Sequence, residues 1–212
     1  MAIAFDSATD GSELAGDGVI TISHTATGSN LAAFAGGGSG AATSSTATYN
    51  SVAMTELWDT TYGFADNGGI FGYQLSGIPS GTVNVVNTLS NTTPIYHGFG
   101  VITLTGVHQT TPVGTAATAK GQSTAPSVTS PDAAIRDVVI DCLFSDGSVT
   151  ATGADQTIRN SEDITDRFLR QSTQDGSAGG VMSWTINSNF WGTGCVAFKP
   201  FIPTLPLLGV GA

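Results

Sequence analysis

Lysine and glutamate are almost missing from this sequence. Its 212 residues include two Lys and three Glu, and charged residues of every kind make up only 10%. Helical bundles and coiled coils are built from Ala, Leu, Glu and Lys, so that class is excluded. Positive charge is short overall: 6 Lys+Arg stand against 16 Asp+Glu, a net charge of -10. A protein that grips nucleic acid neutralises phosphates with Lys and Arg, so no nucleic-acid partner is expected. No apolar run reaches the length of a membrane-spanning helix, so no membrane partner is expected either. The opening Met1-Ala2-Ile3-Ala4-Phe5-Asp6 lacks the basic and apolar regions of a secretory signal, which predicts synthesis in a cytosol. Cysteine is scarce: Cys142 and Cys195 each sit in an apolar run. They read as buried free thiols. A disulfide would need Cα atoms about 4.4–6.8 Å apart and an oxidising compartment.

What the chain does contain is Gly, Ser, Thr and apolar residues, the last at 40%. That is enough to build a core, so disorder is not expected. Short β-branched runs recur between Gly, Asn, Asp, Ser and Pro. Val19–His24, Ile70–Leu75, Thr82–Val86, Tyr96–Val107, Ile135–Phe144, Val149–Thr157, Arg167–Arg170, Val181–Asn187 and Thr193–Lys199 are the clearest. Turn signals every 8–12 residues or so mark an all-β sandwich or barrel of about a dozen strands. Residues 31–35 read as a short strand before a flexible loop, Gly36-Gly37-Gly38-Ser39-Gly40. Gly98, Gly100 and Gly106 read as bulges or close approaches. Residues 160–170 look faintly helical, with Ser161-Glu162-Asp163 as a cap. No repeat of fixed period and no linker divides the chain, which predicts one β-sandwich domain over 1–199.

Residues 200–212 differ in kind. Pro200, Pro203 and Pro206 recur every third position among Phe201, Ile202, Leu205, Leu207, Leu208 and Val210. Proline fixes φ and removes a donor, so this tail is extended and stays out of a central strand. Six apolar side chains left in water are a liability. Phe201, Ile202, Leu205, Leu207 and Leu208 are therefore the candidate partner-binding residues, docked on a neighbouring subunit or folded back on their own core.

The sequence holds little that could carry catalytic chemistry. His24, His97 and His108 form no zinc-binding spacing. No G-x-S-x-G, P-loop or dinucleotide motif occurs. Asp6, Asp10 and Asp17 lie near one another without an EF-hand pattern. Most Asp residues stand in turn contexts, where the side chain bonds its own backbone. No catalytic residue, metal or cofactor is expected, and Asn91-Thr92-Thr93 matches a glycosylation sequon with no secretory context. One binding motif stands out. Trp58, Tyr62 and Phe64 cluster with Asp59 and Asp66 in a stretch read as a loop. Stacking rings beside acidic hydrogen-bond acceptors suit a sugar, so Trp58, Tyr62 and Asp66 are candidate glycan contacts. Trp184 and Trp191 read as core.

Three stretches carry a resemblance when taken together. They are Thr48-Tyr49-Asn50-Ser51-Val52-Ala53-Met54-Thr55, then Gly106-Val107-His108-Gln109-Thr110-Thr111-Pro112, then Met182-Ser183-Trp184-Thr185 with Trp191-Gly192-Thr193-Gly194-Cys195-Val196-Ala197-Phe198-Lys199-Pro200. In that order and spacing the chain resembles jelly-roll-like β-sandwich domains of tailed-phage virion structural proteins. The resemblance covers about residues 1–200. It implies a single jelly-roll-like sandwich and a structural or decorating role in a virion, with the major capsid protein or other virion proteins as partners. A capsid decoration (cement) protein acting as a homo-oligomer, with a trimer as the expected order, is the leading expectation. The receptor- or glycan-binding head of a tail fibre or spike is the alternative. The resemblance supplies no catalytic residues.

Overall fold

The computed structural model describes residues 2–63, 68–90, 95–176 and 180–202. Among these the fold is all-β, with seventeen antiparallel strands in four sheets. Numbered along the chain, the first inner sheet runs β1 (Ala4–Ala15), β9 (Ile95–Thr105), β3 (Ala32–Ser39), β7 (Gly68–Ser76), β6 (Thr55–Tyr62). The first outer sheet runs β2 (Val19–Ala26), β8 (Gly81–Leu89), β4 (Ser45–Tyr49), β5 (Val52–Ala53). The second inner sheet runs β10 (Ala117–Ser123), β17 (Asn189–Phe198), β12 (Val138–Ser145), β15 (Arg167–Asp175), β14 (Thr157–Ile164). The second outer sheet runs β11 (Ser127–Thr129), β16 (Val181–Ile186), β13 (Val149–Thr152).

Leaving the two-residue β5 aside, the two halves share one strand order. In each, the inner sheet reads first, last, third, sixth, fifth, and the outer sheet reads second, seventh, fourth. The expected sandwich is present as two sandwiches in series, and the strands outnumber the expected dozen. No sequence repeat announced this, because the halves share topology and not residues.

Three apolar layers separate the four sheets. Ile20, Ile22, Tyr49, Phe71, Tyr73, Val85 and Phe99 fill the space between the first outer and first inner sheets. Phe34, Trp58, Ile70, Ile102, Ile140, Phe144, Val196 and Phe198 fill the central layer between the inner sheets. Met182, Val139 and Cys195, with Leu143, Trp184 and Trp191, fill the third. Position in the stack explains the sequence pattern. A strand covered on one face alternates, and β2 does so at every residue. A strand covered on both faces reads as an unbroken run, and β12 is buried throughout.

Glycine lets the inner sheets approach each other, which corrects the loop expected at 36–40. β3 is a fully buried strand. A Cβ on Gly38 would fall 2.4 Å from Phe144 Cγ, and one on Gly36 would fall 3.2 Å from Cys142 Cβ, both on the facing inner sheet. These residues supply thinness rather than flexibility. Gly98 and Gly100 are close approaches as read: a Cβ on either would collide with Ile164 or with Asn160. The helical reading of 160–170 is also corrected. β14 and β15 form a hairpin in which Ile164 pairs with Arg167, and Thr165 turns the chain at a φ of 60°. One polar bridge crosses the central layer. Gln171 Nε2 donates to the carbonyls of Gly36 (2.8 Å) and Gly100 (3.1 Å), and Asn160 Nδ2 donates to Val101 O and Gln171 Oε1.

Candidate interaction surface

Charge is sorted by sheet. Strands β2, β4, β5, β8, β11, β13 and β16, which make up both outer sheets, contain no Asp, Glu, Lys or Arg. The charged strand residues all lie in the inner sheets. They concentrate on edge strands: Asp6, Asp10 and Glu13 on β1, Glu56 and Asp59 on β6, Lys120 on β10, and Arg159, Glu162 and Asp163 on β14. Charge on an edge strand discourages a second chain from pairing there. The broad faces carry no such guard.

The first outer face is an ordered neutral array. Strand register places Val19, Thr88 and Thr46 in one row, and Thr21, Val86, Thr48 and Ala53 in the next. Ser23 pairs with Asn84, and Thr25 with Thr82, whose hydroxyls meet at 2.7 Å. These positions point outward because their neighbours Ile20, Ile22, Val85 and Tyr49 point into the core. Four strands about 4.8 Å apart and about 3.3 Å per residue give a face on the order of 500 Å². A standard protein interface takes roughly 800 Å² per partner, so this face supports a modest contact. The second outer face repeats the chemistry, with Ser127, Thr129, Val181, Ser183 and Thr185 across β11 and β16.

Two polar clusters bring titratable groups together. Asp6 is the extra residue of a bulge in β1. Its carboxylate accepts from Thr27 N (2.9 Å), Thr27 Oγ1 (2.5 Å) and Thr103 Oγ1 (2.9 Å). Burial alone would raise its pKa. The Thr27 and Thr103 hydrogen bonds, with His24 nearby, hold it below the usual carboxylate value. Ser7 Oγ lies 3.2 Å from His24 Nε2, but it donates to the Thr25 carbonyl at 2.6 Å. His24 Nδ1 faces the Thr9 hydroxyl at 3.0 Å and no carboxylate. Burial pushes the His24 pKa down. The serine proton is committed to backbone and the imidazole has no orienting acid, so this cluster pins the bulge and is not arranged to activate a nucleophile. The second cluster is Asp141, fully buried on β12. It accepts from Ser172 N (3.1 Å), Ser172 Oγ (2.6 Å) and Trp184 Nε1 (2.6 Å). It ties β12 to the outer strand β16.

The residues singled out from sequence fall as follows. Trp58 and Tyr62 lie on strand β6, not on a loop, and are only 6% and 2% exposed. The Trp58 ring fills the space left by two glycines: a Cβ on Gly72 or Gly194 would fall 2.3 or 2.4 Å from it. The Tyr62 ring packs edge-on to Phe144. Rings covered in this way have no free face for a sugar, so the glycan platform is corrected to core packing, while Asp66 lies outside the described residues. In the tail, Phe201 donates its N–H to Gly106 O at 2.8 Å and sits beside the His108 ring. Ile202 is 64% exposed. Leu205, Leu207 and Leu208 lie outside the described residues, as does the Asn91 sequon. Cys142 and Cys195 are both buried and free. They point to opposite faces of one sheet, Cys142 into the central layer and Cys195 into the third. His97 is buried and donates from Nε2 to Asn87 Oδ1 at 2.7 Å, and burial takes its pKa down to about 4. His108 Nδ1 caps a turn, accepting from the N–H of Thr111 at 3.1 Å. Among the described residues no group of three or more His, Cys, Asp or Glu is placed to hold a metal ion. The neutral outer faces escaped the sequence reading. The signal was the alternate positions of 19–26, 81–89 and 181–186, where Thr, Ser, Asn and Val stand in place of charge.

No protein-family model matches the chain, and no curated protein matches it. Among solved structures, the crystal structure of PBSX exported protein XepA is similar over 93% of this chain and 86% of that one. The two are 9% identical with a TM-score of 0.23, too low a likeness to carry an argument.

Proposed function

We propose that this chain is a structural protein of a bacteriophage virion, a capsid decoration protein that stabilises the particle through contacts between protein subunits. The observation that supports this reading is the uncharged face of β2, β8 and β4 on a molecule of net charge -10. Acidic copies repel one another wherever their charged edges meet. A face free of charge is where another protein can approach without desolvating an ion. The motifs at 48–55, 106–112, 182–185 and 191–200 resemble virion domains and point the same way. In this reading the protein works by binding and not by catalysis, is made in the host cytoplasm, and joins the virion. Its partners are the major capsid protein and further copies of itself, with a trimer as the expected oligomer. A face on the order of 500 Å² binds weakly alone. Many copies on one lattice turn weak contacts into stable occupancy.

The test is addition of purified protein to particles that lack it. The parent chain should bind and raise the temperature at which the particles release their genome. Val86→Lys, at the centre of the face, should fold with unchanged circular dichroism and lose binding. A charged variant that binds as well as the parent, or a parent that leaves the particles unchanged, would refute the reading.

A further inference from the structure

One end of the molecule holds two adjoining hollows, with charge in one and hydrocarbon in the other. The smaller, about 170 Å³, is walled by Phe5, Thr157, Arg159 and Thr173, with Ile3 and Val138. The larger, about 370 Å³, shares Ile3 and Val138 and continues to Ile135 and Arg136. Pockets for small ligands begin at about 300 Å³. Ile135 is 77% exposed, the most exposed of the large apolar residues described.

The backbone places Arg159 there. β14 slips register against β15 between Ile158 and Asn160, so Arg159 is the extra residue of a bulge. A bulge re-aims the side chain it carries. The guanidinium lies over the Phe5 ring, 3.9 Å from its centre, and Nε donates to Thr173 Oγ1 at 2.8 Å. The two amino groups of the fork are left over. Among the described residues nothing accepts from them, and no carboxylate pairs with Arg159. Arg167 and Arg170, by contrast, hold Asp146 and Asp163. Burial pushes the Arg159 pKa down, with no carboxylate holding it up. A partly buried cation without a counter-ion has lost water and gained no ion in return. The ring beneath it offsets part of that cost. A carboxylate seated on the open fork offsets more, because the planar guanidinium matches it with two parallel hydrogen bonds.

The remaining walls set the rest of the ligand. Asp155 and Asp175 also line the smaller hollow, so a second negative charge on the ligand would be repelled. Ile3 and Val138 lead from Arg159 toward Ile135, a path for hydrocarbon. That path is fixed in advance. Asp137 Oδ2 accepts from Ala134 N at 2.9 Å and from Lys199 Nζ at 2.7 Å, and Asp137 O accepts from Gly176 N at 2.9 Å. Arg136, between Ile135 and Asp137, holds a φ of 80°, which a non-glycine residue adopts only where its surroundings impose it. A wall already in place spares a ligand the cost of ordering it.

We infer that these hollows bind an amphipathic monocarboxylate, its carboxylate on the Arg159 fork and its hydrocarbon chain along Ile3 and Val138 toward Ile135. The site lies on inner-sheet strands and their loops, away from the neutral outer faces. It does not depend on the proposed function, and the two fail or stand separately.

The experiment is titration of the isotope-labelled full chain with octanoate, followed by amide chemical shifts. A ligand of this size should bind with a Kd on the order of 1 mM. The shifts should concentrate at residues 3–5, 135–138, 157–159 and 173. Octanamide has the same hydrocarbon without the charge and should bind at least about tenfold more weakly, as loss of a charge-assisted hydrogen bond requires. Inorganic phosphate should leave these amides unmoved. Arg159→Gln should weaken octanoate by at least about tenfold and leave octanamide unchanged, a contrast that loss of the fold would not produce. If that variant does not fold, the octanoate-to-octanamide ratio in the parent decides alone. Absence of octanoate shifts at these residues, equal binding of acid and amide, tighter binding of phosphate, or octanoate affinity that survives Arg159→Gln would each overturn the inference.

Discussion

Replacing Asp141 with Asn should stabilise the protein progressively as pH rises. The carboxylate is wholly buried, and burial pushes its pKa from 3.8 up to about 7 despite donors from Ser172 and Trp184. The raised value means that the folded state holds its proton more tightly than the unfolded state does. The associated stability is fully present below about pH 3.8 and is lost as pH rises through about 7. The interval corresponds to about 4 kcal/mol, from about 1.4 kcal/mol for each pH unit. Asparagine has the same shape and never ionises. Its single oxygen retains the Trp184 N–H, while the Ser172 N–H loses its acceptor at a constant cost of about 1–3 kcal/mol. The two effects separate by pH. At pH 4 the variant should be less stable than the parent by that constant cost. By pH 8 the difference should have shifted in the variant's favour by up to about 4 kcal/mol. Urea unfolding of both proteins from pH 4 to pH 8, followed by tryptophan fluorescence, reads this directly. Subtracting the curves cancels every other titrating group. A difference that stays flat across the range would refute the reasoning and show that Asp141 is not a buried charge near neutrality.

Three further outcomes follow from the central layers. Gly38→Val should lower stability by about 3 kcal/mol or abolish folding, because even its first carbon would fall 2.4 Å from Phe144; thermal melting checks this. Gln171→Leu keeps the volume but strips the donor from the Gly36 and Gly100 carbonyls, and should cost about 1–3 kcal/mol by urea unfolding. Addition of dithiothreitol should leave the melting temperature unchanged, because Cys142 and Cys195 are free and face opposite layers.

Legibility in the sequence followed position in the stack. β2 was plain because one face is wet: Ile20 and Ile22 alternate with Thr21 and Ser23. β12 was plain because it is covered on both faces and reads Val-Val-Ile-Asp-Cys-Leu-Phe. The first half of β3 was read as a short strand, and its glycine half was missed because its burial depends on what it lacks. Gly36, Gly37 and Gly38 look like a loop until Cys142 is seen facing Gly36 and Phe144 lying against Gly38. The same holds for Trp58, whose surroundings are two glycines far apart in sequence. The hairpin at 164–167 was missed because its turn uses Thr165 rather than glycine or asparagine. The doubled architecture left no trace in residue identity, since a shared strand order constrains alternation and not sequence. The candidate surface was half visible: the neutral alternate positions were on the page, but only strand register showed that they form one face.

The central claim is that the neutral face of β2, β8 and β4 is where this protein meets another protein of a virion. Cryo-electron microscopy of purified particles carrying the chain tests it most directly. The account predicts density for the protein on the capsid, with Thr21, Val86 and Thr48 within contact distance of a neighbouring subunit. Particles that lack the protein, or that hold it with this face open to water, would contradict the account.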